Sequence, residues 1–399
     1  MSSGDVAISR ELEALFLCTR FQLQQNQKER LAQLLSSLES FDRLIELARS
    51  SFLAPIFYQH VKRFDPGSNF EELVSRLRPL TPPYVAHHLN VSAAQRHLVS
   101  DLFRDGEVDY AFFKGNALAA KFYPDPSLRY CRDIDVLIPE EQAVEVALRA
   151  QSLGYAVYPD VGRMSAQDLR AVMRYEPEIQ LVSREGVLIE LHYRIDRTGR
   201  YFSTRDLLSR TEKVDLGGQM ARILPTPEHF IYLCLHHTRH RWSRLHWMVD
   251  MNCILTSPDY DADVFASVAR SRKLESTLNA CVEFVRACGK PKPFEEVKIG
   301  SPAHDLMADC VESIEVGAEA ENRLKEMRAT PDCAYPWQVS HTERIWYDIS
   351  KRFKRLRPKY HHYASFRLPI GLHWVYFFTR SFRVIMRKIG WDASGKTGV

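Results

Sequence analysis

The chain has 399 residues, 45% hydrophobic and 26% charged, which suits a soluble protein of two or three ordinary domains. Its formal net charge of +4 gives no general affinity for polyanions. The N-terminus has no basic-then-apolar order, no apolar run reaches bilayer length, and the eight scattered cysteines lack a Cys-x-x-Cys, so neither secretion, membrane spanning nor a disulfide framework is expected and a cytoplasmic setting is.

Residues 8 to about 105 read as helices, with Leu12, Leu15, Phe16 and Thr19, then Leu44, Leu47, Ala48, Phe52 and Leu53, recurring at helical spacing. The run from Pro79 to Pro83 predicts a break, and Tyr84–Phe103 a long helix after it. Strands are expected at 108–113, 133–138, about 155–158, 178–183 and 187–195, with a helix over 139–153 started by Pro139 and Glu140. Pro225-Thr226-Pro227-Glu228 opens a second helical region reaching to about residue 330, with Thr226 as N-cap and Pro227 at the first helical position.

The segment Tyr110–Pro139, YAFFKGNALAAKFYPDPSLRYCRDIDVLIP, carries the densest chemistry. A short apolar strand ends in Lys114-Gly115-Asn116 and a small-residue helix follows. A Gly at such a turn lets backbone N–H groups approach a phosphate at the helix N-terminus. Asp133 and Asp135 lie two apart on the next strand, so both point to one face. Paired carboxylates repel each other and are best tolerated around a divalent cation. Further on, VLIELHYRI (Val187–Ile195) alternates, with Glu190, His192 and Arg194 on its polar face. That face is either a plain solvated one or the source of a third functional acid.

The ordered set of Lys-Gly, small helix, Tyr-Pro, Leu-Arg, Asp-x-Asp and apolar strand resembles the DNA polymerase β-like nucleotidyltransferase superfamily. Within it, the set is most similar to a bacterial branch of uncharacterised nucleotidyltransferase family proteins, whose members often accompany exopolysaccharide or natural-product gene clusters. Asp42–Tyr58 is similar to the N-terminal region of the same branch. The resemblance spans roughly residues 40–390 and is concentrated in 112–138 and 186–194. Gly115 matches the superfamily's Gly, and Asn116 stands where Ser or Gly is usual. The resemblance implies an α+β fold, a small mixed sheet flanked by helical regions. It divides the chain into an N-terminal helical region (1–105), a nucleotidyltransferase core (106–225), a helical substrate-side domain (226–335) and a basic aromatic tail (336–399).

It also implies a reaction: Mg²⁺-dependent (or Mn²⁺-dependent) transfer of a nucleotidyl group from a nucleoside triphosphate, ATP among the candidates, to an unknown acceptor hydroxyl. Asp133, Asp135 and Glu190 would be the metal-binding and catalytic residues. Lys114, Gly115 and Asn116 would cradle the phosphates, Arg129 or Arg132 would neutralise their charge, and His192 would assist. Two rival readings stay open: a catalytically silent nucleotide-binding member of the fold, and a membrane-associated accessory protein of polysaccharide assembly.

Two further features are left over. Five histidines (229, 236, 237, 240 and 246) crowd the second helical region, and the i, i+4 pair His236 and His240 has a metal-ligand spacing. A zinc site, a core cluster and a phosphate-facing role are the alternatives, with Arg239, Arg241 and Arg244 beside them. From Lys351 to Lys388 there are eleven basic residues, no acidic one, and interleaved aromatics including Trp374, Phe377 and Phe378. This tail is read as a helix docked on the body, as a segment lying on an anionic membrane surface, which would place the protein at the periphery of the inner membrane, or, less favoured, as a nucleic-acid grip.

Overall fold

Seven short strands build the sheet: β1 (Ala111–Phe112), β2 (Asp133–Leu137), β3 (Ala156–Tyr158), β4 (Glu178–Val182), β5 (Leu188–His192), β6 (Glu212–Asp215) and β7 (Met220–Ile223). The computed structural model describes residues 8–64, 70–104, 106–158, 163–354, 358–365 and 367–377. The spatial order is β3-β4-β5-β2-β1-β7-β6. The β2–β5 and β1–β7 pairs are parallel and the other four antiparallel, so the sheet is mixed and the fold is α+β. The central pair sets the register that matters: Asp133 lies opposite Leu188, Asp135 opposite Glu190 and Leu137 opposite His192.

All five expected strands form, each shorter than its apolar run. The β6–β7 hairpin was not expected. Its turn contains Gly217 and Gly218 at φ +74° and +91°, a left-handed pair that favours glycine and matches the twist of a tight hairpin. Val214, Leu216, Ala221 and Ile223 are buried from its two arms. Near Pro79–Pro83 the prolines do not interrupt the chain. Arg78–Leu80 makes a 3₁₀ turn, and the helix Thr81–Leu98 starts with Pro82 and Pro83 in its first turn, where a missing N–H costs nothing. Nor is Thr226 the N-cap. The helix Thr226–Arg239 is capped by Pro225, while the Thr226 N–H and hydroxyl both donate to Glu212.

Two hydrophobic cores divide the chain in an order different from the sequence. The first joins the early helices Arg10–Leu17, Asp42–Ser50 and Ala54–Val61 to the late helices Thr226–Arg239, His246–Leu255, Glu275–Ala287 and Pro302–Glu315. The Arg20 guanidinium donates to Val285 O at 2.7 Å across that junction. The second core lies on the sheet and takes the end of helix Thr81–Leu98, the helices Ala143–Ser152 and Ala166–Tyr175, and Tyr360, Tyr363 and Tyr376 of the tail. The described part of the tail is therefore docked in part, with Tyr363 1% and Tyr376 2% exposed, while Trp374 is 61% exposed. Residues 355–357, 366 and 378–399, which hold much of the tail's expected charge and Phe378, lie outside the described residues. No helix among the described residues is long and apolar enough to cross a membrane.

Candidate active site

The turn between β1 and the helix Gly115–Phe122 is bent by two successive left-handed residues, Lys114 (φ +60°) and Gly115 (φ +52°). A Cβ on Gly115 would meet Asp133 O at an ordinary 3.5 Å, so its backbone angle, not crowding, is what asks for glycine. Lys114 has no such freedom, and its conformation costs roughly 1–3 kcal/mol. It is held at both ends. Its N–H donates to His229 Nε2 at 3.0 Å, and its ammonium sits 2.6 Å from Asp135 Oδ1. His229 can accept because burial, helped by nearby Lys121 and Arg129, pulls its pKa down to about 3 and keeps it neutral.

Because β2 and β5 run parallel in register, Asp133, Asp135, Glu190 and His192 share one face of the sheet. His192 Nε2 lies 3.1 Å from Asp135 Oδ1 and 3.3 Å from Glu190 Oε2. Gln180 of β4 donates to the other Glu190 oxygen at 3.2 Å. One ligand atom from each of Asp135, Glu190 and His192 falls within 4.8 Å of the others, a group that could hold a metal ion. Burial would raise Asp135, but Lys114 and His192 reverse this and hold its carboxyl below the usual range. Asp133 is pushed up to about 6 by burial and by the neighbouring Asp135. Burial would lower His192, but its bonds to Asp135 and Glu190 push it up to about 9.

This donor set fits a divalent cation. Two carboxylates already draw an ammonium and an imidazolium to themselves; Asp133 shares their face but stands outside the group of three, and burial and the charge of Asp135 make it hard to ionise. Carboxylate oxygens suit Mg²⁺ or Mn²⁺, and an imidazole in the set suits the latter better.

Two cavities flank these groups and share Lys114, Asp133, His236 and His240. The smaller, about 310 Å³, contains Gly115, Arg132 and Arg244 with the stacked rings of Phe52 and Tyr130. The larger, about 580 Å³, contains Glu190, His192, Arg197 and Arg239.

The other expected site residues fall differently. Arg132 is exposed at the smaller cavity. Arg129 also lines it, but its Nε and Nη2 donate to Asp250 at 2.7 and 2.8 Å, so its charge is already matched rather than held for phosphate. The Asn116 side chain donates to Gln95 at 2.8 Å and binds the helix Thr81–Leu98, leaving only its backbone for a phosphate role. His236 and His240 are kept neutral by burial and nearby cations, and among the described residues no third ligand joins them, so the spacing does not make a zinc site. Sequence reasoning missed Asp250 and His229 as the partners that hold Arg129 and Lys114. Their signal was present, an acid and a histidine in a buried helical run, but no local spacing links them to residues more than 100 positions earlier.

The mixed sheet carries carboxylates on adjacent parallel strands, with a strand–Lys-Gly–helix turn beside them. The family described as "Uncharacterised nucleotidyltransferase" matches residues 37–289, well over half of the chain. The chain belongs to this family. No curated protein matches it.

Proposed function

We propose that the protein transfers a nucleotidyl group from a nucleoside triphosphate to an acceptor hydroxyl. The observation that carries this reading is the register of β2 on β5, which sets Asp135 beside Glu190 next to the Lys114–Gly115 turn. In the reaction the acceptor oxygen bonds to the α-phosphorus, the bond from that phosphorus to the bridging oxygen breaks, pyrophosphate leaves with the electron pair, and the hydroxyl proton passes to solvent.

Asp133, Asp135, Glu190 and His192 would hold the divalent cation. When bound, such an ion neutralises phosphate charge and lowers the pKa of the attacking hydroxyl. Gly115 and Asn116 offer backbone N–H groups at a helix N-terminus to the β- and γ-phosphates. Lys114, paired with Asp135 beside that turn, can exchange one anion for the other as substrate enters. Arg132 and Arg244 add positive charge along the smaller cavity, where the triphosphate is placed in this reading. A cytoplasmic role in polysaccharide or natural-product assembly follows from the family resemblance alone and is part of the proposal.

The test is pyrophosphate release with Mg²⁺ or Mn²⁺ and each of ATP, CTP, GTP and UTP, in the presence of cell extract, with products read by mass spectrometry. Asp135→Asn and Glu190→Gln should abolish it. Full release by either variant, or none by the wild type with any nucleotide, refutes the reading and favours a silent nucleotide-binding member.

A further inference from the structure

The larger cavity is lined by both signs of charge. Of its acids, Asp133, Glu178 and Glu190 come from β2, β4 and β5 and Glu140, Glu176 and Asp196 from outside the strands, while Arg197 comes from the segment after β5 and Arg239 from the end of the helix Thr226–Arg239. The arginine end is poorly balanced. The Arg239 side chain is 8% exposed, its Nε finds no hydrogen-bond partner among the described residues, and its nearest carboxylate, Asp332, is 3.6 Å away. Asp332 is itself committed to the backbone, accepting from Arg197 N–H at 2.7 Å and Thr198 N–H at 3.0 Å. Arg328 stands close enough that burial, followed by Arg239 and Arg197, lowers its pKa to about 10, and its Nε is also buried without a partner. Arg239 and Arg328 thus each keep a buried guanidinium nitrogen unmatched, although two buried carboxylates, Asp332 and Asp196, lie beside Arg239 and Arg197. Buried donors and charges of this kind are normally matched.

From this we infer that the Arg197–Arg239 end of the larger cavity binds a phosphate group carried by the acceptor, so that the acceptor is a phosphomonoester bearing a free hydroxyl. The inference rests on the transfer reading given above and goes beyond it by naming the acceptor's chemical class. A guanidinium presents a planar fork of donors that matches phosphate oxygens bidentately, and a phosphate dianion balances two such groups where a carboxylate balances one. The cavity geometry separates this anion site from the triphosphate. Gly115, Arg132 and Arg244 line the smaller cavity, Glu190, Arg197 and Arg239 the larger, and the shared Lys114 and Asp133 mark where the two substrates meet. The acceptor's phosphate is not transferred. It anchors the molecule so that its hydroxyl reaches the Asp133–Glu190 face.

The experiment is calorimetric titration of the full chain with inorganic phosphate, with acetate as the monoanion control, alongside pyrophosphate-release assays on the same samples. Arg197→Gln, at an exposed side chain, should weaken phosphate binding about tenfold or more, the scale of one charge-assisted bond. Arg239→Gln should do the same, and Arg239→Lys should restore part of it. Arg270→Gln, at an exposed side chain outside both cavities, should leave it within about threefold. Phosphate affinity unchanged in Arg197→Gln, or acetate binding as well as phosphate, overturns the inference whether or not Arg239→Gln folds. Arg-dependent phosphate binding without pyrophosphate release under any condition refutes the transfer reading and leaves the anion site standing. Release without Arg-dependent binding does the reverse.

Discussion

Replacing Asp250 by Asn should destabilise the protein severely without touching a substrate-binding group. Asp250 is 0% exposed, and Arg129, 5% exposed, grips it through two parallel bonds. The Tyr123 hydroxyl donates to the same carboxylate at 2.7 Å. Burial alone would lower the Arg129 pKa, and Asp250 reverses that and holds the guanidinium firmly charged. Asparagine keeps the volume but leaves a buried, uncompensated cation, at a cost of about 3–5 kcal/mol. With a urea slope of about 3 kcal/mol per molar, the unfolding midpoint should fall by roughly 1–2 M. Urea denaturation followed by circular dichroism reads this directly. The double variant Arg129→Met with Asp250→Leu removes both charges and should recover to within about 1–2 kcal/mol of the wild type. A cost under about 1 kcal/mol for Asp250→Asn, or a double variant worse than the single, would show that the pair is solvated and the argument wrong.

The two strand aspartates should separate by stability in the absence of metal. Burial and Asp135 push the Asp133 pKa up from 3.8 to about 6, so its ionisation costs stability as pH rises through that window; Asp133→Asn should therefore stabilise the fold at pH 7.5 by up to about 3 kcal/mol, read as a higher Tm. Asp135→Asn strands the Lys114 ammonium and should lower Tm; the opposite order would refute the assignment of partners. His60, which donates to Arg20 O at 2.6 Å, has its pKa lowered by burial from 6.5 to about 4, so the unfolded chain takes up its proton first. Stability should fall as pH drops from 6.5 towards 4, by up to about 3 kcal/mol from this residue, and His60→Gln should flatten that part of the stability curve. For the tail, sedimentation with anionic vesicles should show salt-sensitive binding, since its charges act over about 8 Å at physiological salt. A residue of binding at high salt should vanish in the Trp374→Ser, Phe377→Ser variant, and equal binding by that variant would refute a membrane contact.

The readable parts of the sequence were those in which chemistry and period coincide. Asp133-Ile134-Asp135 and Leu188–His192 alternate in step, so the shared face of their carboxylates was legible, as was the strand–Gly–helix turn. The neighbour relation of β2 and β5 is not local. Fifty-five residues separate Asp135 from Glu190, and only their pairing brings His192 onto both. The β6–β7 hairpin was legible in Gly217-Gly218, but Glu212-Lys213-Val214-Asp215 has only one apolar side chain and reads as a loop. Closeness to Asp133 in sequence makes Arg129, like Arg132, a candidate for neutralising phosphate charge. Its partner lies 121 positions away, and nothing short of the fold connects them.

The exchange of early and late helices across the first core has a consequence for how the chain comes off the ribosome. Leu12, Phe16 and Phe57 are completely buried in a core that the early helices share with helices beginning at Thr226. At about 5–20 residues per second, the roughly 150 residues between Leu77 and Thr226 take about 10–30 s to emerge. Through that interval the sheet, whose strands are contiguous from 111 to 223, can assemble on its own schedule while the first helices wait with an apolar face uncovered. The core around these first helices is thus completed only after the sheet's strands have all been made.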